Sequence, residues 1–167
     1  TKRDGTKEEI QFDKILRRIK KLSETLTINP SKVTQKVCTQ IYPNINTSEI
    51  DELVGQICAS LSTEHPDYGI LASKIVVSNH HKNTSPSFSE TMRTLYENKD
   101  IHGIQSPLIS KELFEIVEEN KTKLNDTIKY ERDYLFDYFG FKTLERSYLM
   151  RVKNNLSREG AKTNLKG

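Results

Sequence analysis

The sequence contains no tryptophan, only two cysteines and no long run of apolar residues. No segment approaches the roughly 20 apolar residues that a helix needs to cross a bilayer. A basic stretch leading into an apolar core, as in a secretory signal, is also absent from the sequence. The mean hydropathy of -0.67 is typical of a soluble, surface-rich chain. The sequence therefore predicts no membrane partner and a cytoplasmic location.

The two cysteines, Cys38 and Cys58, form no Cys-x-x-Cys pair. Isolated cysteines of this kind are most often small buried apolar residues, so we expect both in a core. His80 and His81 are adjacent in the sequence, which is not the spacing of paired zinc ligands. The sequence therefore predicts no metal site.

Positive and negative charges are nearly balanced, with 26 Lys and Arg against 23 Asp and Glu. Residues 130–149 are dense in aromatics and also contain Arg132, Lys142 and Arg146. Such a pattern could stack single-stranded bases, but acidic residues are equally interleaved, which favours a core or a docking surface. The sequence therefore predicts no nucleic-acid partner.

Four successive segments carry apolar residues at helical spacing. The first starts at Phe12, and the second runs from Asn29-Pro30 to Tyr42-Pro43. The third follows Asn46, with Glu49 placed to complete a capping box. The fourth, over residues 68–79, is apolar on more than one face, which indicates a helix buried by several neighbours.

A second helical segment is predicted from about residue 87 onwards. Ser87 and Glu90 have the spacing of a capping box, and Ser110 precedes another amphipathic stretch. Residues 151–167 are polar and show no periodicity, so we expect a mobile tail.

The first fourteen residues carry the one candidate binding site. Lys2 and Arg3 precede Asp4-Gly5, a turn signal typical of a hairpin, and Lys14 lies one turn into the first helix. With Asp13 as N-cap, the three cations would converge on an anion at the helix start. An ordinary surface turn is the commoner meaning of this pattern. The other basic residues of the first helix are expected to be solvated: Arg17, Arg18, Lys20 and Lys21.

Four stretches give this pattern a family resemblance. They are KRDGTKEEIQFDKI at residues 2–15, NTSEID at 46–51, HPDY with VSNHHK between 65 and 82, and YFGFKTLERSYL at 138–149. They resemble, in the same order, the N-terminal region of the class I ribonucleoside-diphosphate reductase large subunit. The resemblance covers roughly residues 1–150.

The resemblance implies a mainly α fold in which an ATP-cone is followed by further helices. The ATP-cone, a short β-hairpin lid over a four-helix cluster, would occupy residues 1–86. Residues 87–150 would be the helical segment that leads into the reductase catalytic domain, and residues 151–167 would be the tail.

The resemblance also implies a site for ATP or dATP, each bound together with Mg²⁺. The positions of the family's phosphate-binding cations match Lys2, Arg3, Lys14 and Lys82. The strand that meets the adenine and closes over it matches Glu8, Glu9, Ile10 and Gln11. The implied nucleotide site continues through Phe12 and Asp13. The positions that hold phosphate and sugar match Thr47 and Asp51, which share a helix face at the i and i+4 spacing.

The implied function is allosteric ATP/dATP sensing in deoxyribonucleotide synthesis for DNA replication, exerted through oligomer assembly. The implied partners are the rest of the large subunit, the radical-carrying small subunit and further copies of the chain. No catalytic residue is predicted, because the family's oxidoreductase chemistry uses a radical cysteine, a redox cysteine pair and an α/β barrel that this sequence lacks. We expect a regulatory N-terminal region without the catalytic domain of the family.

Two alternatives remain open from the sequence. A free-standing ATP-cone regulator would resemble transcription repressors that carry a zinc ribbon, although this sequence lacks their Cys-x-x-Cys pairs. A ligand-free helical interaction module, or a reductase remnant that binds other subunits, would use the same helices without a nucleotide.

Overall fold

The described part of the chain is mainly helical, as predicted. This computed structural model describes residues 1–100, 102–149, 151–153 and 162–164. Among these residues no helix is long and apolar enough to cross a membrane. The helices are α1 (Phe12–Leu22), α2 (Pro30–Cys38), α3 (Thr47–Leu61), α4 (Pro66–Asn83), α5 (Phe88–Tyr96), α6 (Lys111–Glu119), α7 (Lys121–Thr127), a 3-10 helix (Tyr130–Leu135) and α8 (Tyr138–Ser147).

The chain divides into two compact units. The first comprises Thr1–His80 and Arg132–Glu145, and the second comprises His81–Glu131 and Arg146–Gly167. The first unit therefore takes in a segment that lies far along the chain. The division at residue 86 stays a prediction about domains.

Capping side chains fix the starts of four helices, as the sequence predicted. Asn29 accepts hydrogen bonds at 3.0 and 3.2 Å from two N–H groups of the first turn of α2. Glu49 accepts a bond of 2.9 Å from the backbone N–H of Asn46 at the start of α3. Ser87 and Ser110 each accept a bond from the first turn of α5 and α6, at 3.3 and 3.2 Å. The capping box predicted for Ser87 and Glu90 forms only by half, because the N–H of Ser87 donates to Ser85 and the carboxylate of Glu90 also accepts from Ser85. These capping bonds involve only nearby residues, so the sequence alone is enough to predict them.

The start of α1 differs from the prediction. Its N-cap is Gln11, in an extended conformation and without a side-chain cap bond, and Asp13 lies within the first turn. The helix begins at Phe12, where the apolar pattern starts, and its cap lies two residues before the predicted cap at Asp13, which therefore already has helical backbone geometry. Its carboxylate still interacts favourably with the positive end of the helix dipole.

The predicted β-hairpin is not confirmed, because residues 1–11 contain a turn but no strand. Gly5, with φ +84°, donates to the carbonyl of Lys2 at 3.1 Å, and Lys2 donates to Thr6 at 2.8 Å. Residues 7–11 are exposed. A returning strand would bury no apolar face here, so the Asp4-Gly5 signal produces the turn alone.

The core of the first unit lies between α1, α2, α3 and α4. Its members come from the apolar stripes predicted in sequence, and α4 is buried on several faces as expected. The largest fully buried side chains are Ile19, Leu71, Ile75, Val33, Val37, Val54, Val77, Thr34 and Cys58.

The second unit is held together by packing between α5, α6 and α7. Tyr96 and Phe114 stack with ring centroids 4.2 Å apart. The amide of Asn125 donates to the hydroxyl of Ser89 at 3.0 Å. Two short strands, β1 (Arg151–Lys153) and β2 (Lys162–Asn164), pair antiparallel. The rest of the predicted tail, residues 154–161 and 165–167, lies outside the described residues.

The two cysteines differ in burial, so we expect them to differ in reactivity. Cys58 is fully buried, and burial raises its pKa to about 12, whereas Cys38 is half-buried with a smaller upward shift of its pKa. Because the thiolate is the reactive form, a thiol reagent at pH 8 should modify Cys38 first. Mass spectrometry of a labelling time course measures the two rates.

Unfolding in denaturant should remove the difference, and Cys38→Ser should leave one slowly reacting thiol in the native protein. Equal native rates would contradict the burial of Cys58. The raised pKa also predicts that folding stability falls above about pH 8.5, where the unfolded thiol ionises. In that range the folded state retains a proton that the unfolded chain has lost.

Candidate functional site

A cleft of about 390 Å³ opens in the first unit between the N-terminal segment, α1 and α3. Its size lies in the ordinary range for small-molecule sites. Nine of the twelve residues predicted from the sequence line it: Lys2, Arg3, Glu8, Glu9, Ile10, Gln11, Lys14, Thr47 and Asp51.

Three predicted residues do not line this cleft. Phe12 and Asp13 are in the first turn of α1 with exposed side chains. Lys82 is in the last turn of α4 and belongs to the second unit. Their assignment to a ligand site stays a prediction.

Asp51 is the buried charge of the cleft, with 4% of its surface exposed. Arg3 donates to its Oδ2 at 3.1 Å from the N-terminal segment. Arg18 donates to both oxygens at 3.3 Å from α1, through Nε and Nη2. A buried carboxylate is costly unless it is paired and hydrogen-bonded. Two guanidinium groups meet that need and leave the cluster with one net positive charge.

Arg18 is the charged side chain of the cleft that the sequence did not predict. It was expected to be solvated, but its side chain is only 22% exposed and lines the cleft. The signal was present: Arg18 follows Lys14 by four residues, and residues at that spacing share a helix face. If Lys14 faces the site, Arg18 faces it one turn deeper.

Lys2 and Lys14 gather at a second place in the cleft. Lys2 Nζ lies 2.7 Å from one carboxylate oxygen of Glu8, and Lys14 pairs with the other oxygen. Glu8 therefore sits between two ammonium groups. An incoming anion with several oxygens, such as a phosphate chain, has the charge and geometry to replace it there.

The start of α3 forms another part of the wall. The backbone N–H and hydroxyl of Thr47 both donate to the carbonyl of Thr1, at 2.9 and 3.1 Å. This pairing fixes the first residues of the chain against the helix start. The apolar part of the wall comes from Ile15, Ile45 and Val54, which are largely buried. The cleft thus combines an apolar wall with cations and one buried carboxylate.

Comparison with known protein families gives a match over the part of the chain that contains this cleft. The ATP cone domain family matches residues 1–83. The ribonucleoside-diphosphate reductase large subunit of Arabidopsis thaliana is 48% identical over 159 residues, which cover 93% of this chain and 20% of the relative. The Caenorhabditis elegans large subunit matches with the same identity and coverage. In Saccharomyces cerevisiae, large chain 2 is 46% identical over 160 residues, 93% of this chain and 18% of the relative.

The chain spans about a fifth of the length of the curated relatives it matches. The resemblance recognised in the sequence is therefore confirmed, both for the ATP cone and for the reductase relatives. Residues 1–83 belong to the ATP cone domain family, and the chain is a relative of ribonucleoside-diphosphate reductase large subunits.

Proposed function

We propose that the first unit binds ATP or dATP in this cleft and acts as the allosteric sensor of a ribonucleotide reductase large subunit. The observation that carries the proposal is the arrangement of charge around Asp51. A buried carboxylate lies on α3, and cations approach the cleft from the N-terminal segment and from α1. The ATP cone match and the reductase relatives support the same assignment.

The charges suggest how the ligand lies. The triphosphate takes the place between Lys2 and Lys14 that the carboxylate of Glu8 holds in this structure, with Lys82 as a further proposed contact. Residues 8–11 close over the adenine as a lid, with Phe12 and Asp13 at its edge. The sugar lies towards Asp51 and Thr47. Mg²⁺ is proposed to arrive on the triphosphate, since this ion is usually held through substrate phosphates and water.

Discrimination between the two effectors rests on one hydroxyl group, because ATP and dATP differ only at the 2′ position. Asp51 can accept a hydrogen bond from that hydroxyl, but its oxygens already take bonds from Arg3 and Arg18. The ribonucleotide therefore competes within an existing network, and the deoxyribonucleotide does not. A ligand shifts a conformational equilibrium only by its differential affinity for the two states.

The output of the sensor is proposed to be oligomer assembly. The partners are the remainder of the large subunit, the radical-carrying small subunit and other copies of the chain. The coupling works in both directions, so any assembly favoured by one nucleotide must also strengthen the binding of that nucleotide.

Titration calorimetry of the chain with ATP and with dATP, each with magnesium, tests the function directly. We expect both nucleotides to bind, and the heat of binding to be lost when Lys2 and Arg3 are replaced by Ala. A chain that is folded by circular dichroism and binds neither nucleotide would overturn the proposal.

Asp51→Asn tests the discrimination. A hydrogen bond to a charged group contributes about 1.5–3 kcal/mol, so we expect the ratio of ATP to dATP affinity to move by about tenfold or more. Glu52→Gln is the matched control, because Glu52 is the next residue on α3 and pairs with Lys142 at 2.8 Å instead of lining the cleft. The same affinity ratio in Asp51→Asn and in the parent would refute this role.

A further inference from the structure

We infer that Arg18 is a positioning residue for Asp51 and joins the effector site to α4. The inference rests on the proposed function and concerns how the same site is regulated. It starts from one side chain, which reaches from α1 to groups on two other helices.

The guanidinium of Arg18 is held at three points. Nε donates to Oδ1 of Asp51, and Nη2 donates to Oδ2, both at 3.3 Å. Nη2 also donates to the hydroxyl of Ser78 on α4 at 3.0 Å. A guanidinium spans the two oxygens of one carboxylate and so fixes the plane of that group, which a single ammonium cannot do.

A second arginine makes the parallel connection. Arg3 donates to Oδ2 of Asp51 and, at 2.5 Å, to the amide oxygen of Asn79 on α4. Asn79 is buried and donates in turn to the backbone carbonyl of Ser48 on α3 at 3.1 Å. Ser78 and Asn79, which are neighbours on α4, are therefore each linked through an arginine to the carboxylate of Asp51.

This arrangement turns a change at the sugar into a change at α4. A 2′-hydroxyl that donates to Asp51 weakens the hold of a guanidinium on that oxygen. The guanidinium is bonded to Ser78 at the same time, so its displacement also alters its bond to α4. A deoxyribose leaves the network as it is. Arg18 thus contributes to effector discrimination through Asp51, without a direct contact to the sugar.

Arg18→Lys is the discriminating variant, because it keeps the positive charge but loses the two-point hold on Asp51. We expect the ratio of ATP to dATP affinity to change about fivefold or more, which is the lower range of allosteric coupling. Binding of inorganic tripolyphosphate, which has no sugar, should stay within about twofold of the parent because charge is retained. Arg17→Lys is the matched control, since exposed Arg17 bonds to a backbone carbonyl of its own helix.

A double-mutant cycle separates positioning from an independent contribution. If Arg18 acts through Asp51, Arg18→Lys added to Asp51→Asn should leave the affinity ratio of Asp51→Asn unchanged. Additive changes in the cycle would overturn the inference. So would equal losses of ATP, dATP and tripolyphosphate affinity in Arg18→Lys, because they would make Arg18 a phosphate contact.

Ser78→Ala keeps the test informative if Arg18→Lys fails to fold. This substitution removes the hydroxyl on α4 that accepts from Arg18, and it leaves every charge in place. The ratio of ATP to dATP affinity should therefore shift in the same direction by a smaller factor. An unchanged ratio in whichever of the two variants folds would overturn the inference and leave the proposed function standing. A parent chain that binds neither nucleotide would overturn both. A parent that binds both with equal affinity would overturn the inference and the discriminating role of Asp51, and would leave the proposed nucleotide binding standing.

Discussion

Lys14→Glu should weaken ATP binding on the order of 100-fold. The side chain of Lys14 lines the cleft, remains 47% exposed and pairs with Glu8. The substitution removes a charge-assisted bond to phosphate, worth about 1.5–3 kcal/mol, and adds an anion beside Glu8 that repels the ligand. A total near 3 kcal/mol corresponds to roughly 150-fold in affinity. Calorimetry at two salt concentrations measures the loss, which should shrink at high salt as the repulsion is screened.

Lys20→Glu is the control for net charge. Lys20 is exposed on α1 and is not among the residues that line the cleft, so the same change in formal charge occurs away from the site. Its affinity for ATP should stay within about twofold of the parent. Similar losses in both variants would point to a general electrostatic effect, and full affinity in Lys14→Glu would remove Lys14 from the proposed phosphate site.

The helices of the first unit were predictable because their signals are local. Asn29 and the Asn46–Glu49 pair mark helix starts through bonds to their own first turns. The ends were less accurate. The second helix was expected to reach Tyr42-Pro43 and ends at Cys38, and the fourth begins at Pro66 rather than Tyr68. Proline suits the first position of a helix, where its missing N–H costs nothing.

The site was predictable in part, and mainly through the family resemblance. Spacing alone relates Lys14 to Arg18 on one helix, or Thr47 to Asp51 on another. It cannot show that Arg18 meets Asp51, which is 33 residues further along and on a different helix. The failure of the hairpin has the same origin, since a strand needs a partner that local sequence does not supply.

The first unit also takes in a distant segment that local patterns could not assign to it. Tyr138 and Phe141 of α8 pack against Val76 and Val77 of α4. The hydroxyl of Ser73 donates to the carbonyl of Phe136 at 2.5 Å. Aromatic density over residues 130–149 indicated a core or a docking surface without showing which helix it would meet. The contact with α4 explains why this segment joins the first unit.

Gly55→Leu should destabilise the first unit by about 1–2 kcal/mol. Gly55 is buried in the middle of α3, a position where glycine is unfavourable by roughly 0.5–1 kcal/mol relative to alanine. A Cβ there would lie 2.7 Å from Cγ1 of Val76 and 3.4 Å from Cε2 of Tyr138. Overpacking of a tight core typically costs about 1–3 kcal/mol, which outweighs the gain in helix propensity. Urea unfolding followed by circular dichroism measures the free energy of unfolding.

Three further substitutions, Gly69→Ala, Val76→Ala and Gly55→Ala, decide whether the close approach is the cause. Gly69 on α4 meets only an ordinary contact, 3.5 Å from Cβ of Ser62, so Gly69→Ala should stabilise the protein by up to about 1 kcal/mol. Val76→Ala removes the atom nearest to Gly55, so Gly55→Ala should cost less in that background than in the parent. If Gly55→Ala stabilises the parent as Gly69→Ala does, α3 and α4 have room for a side chain there. The glycine would then not be required by the packing of these helices.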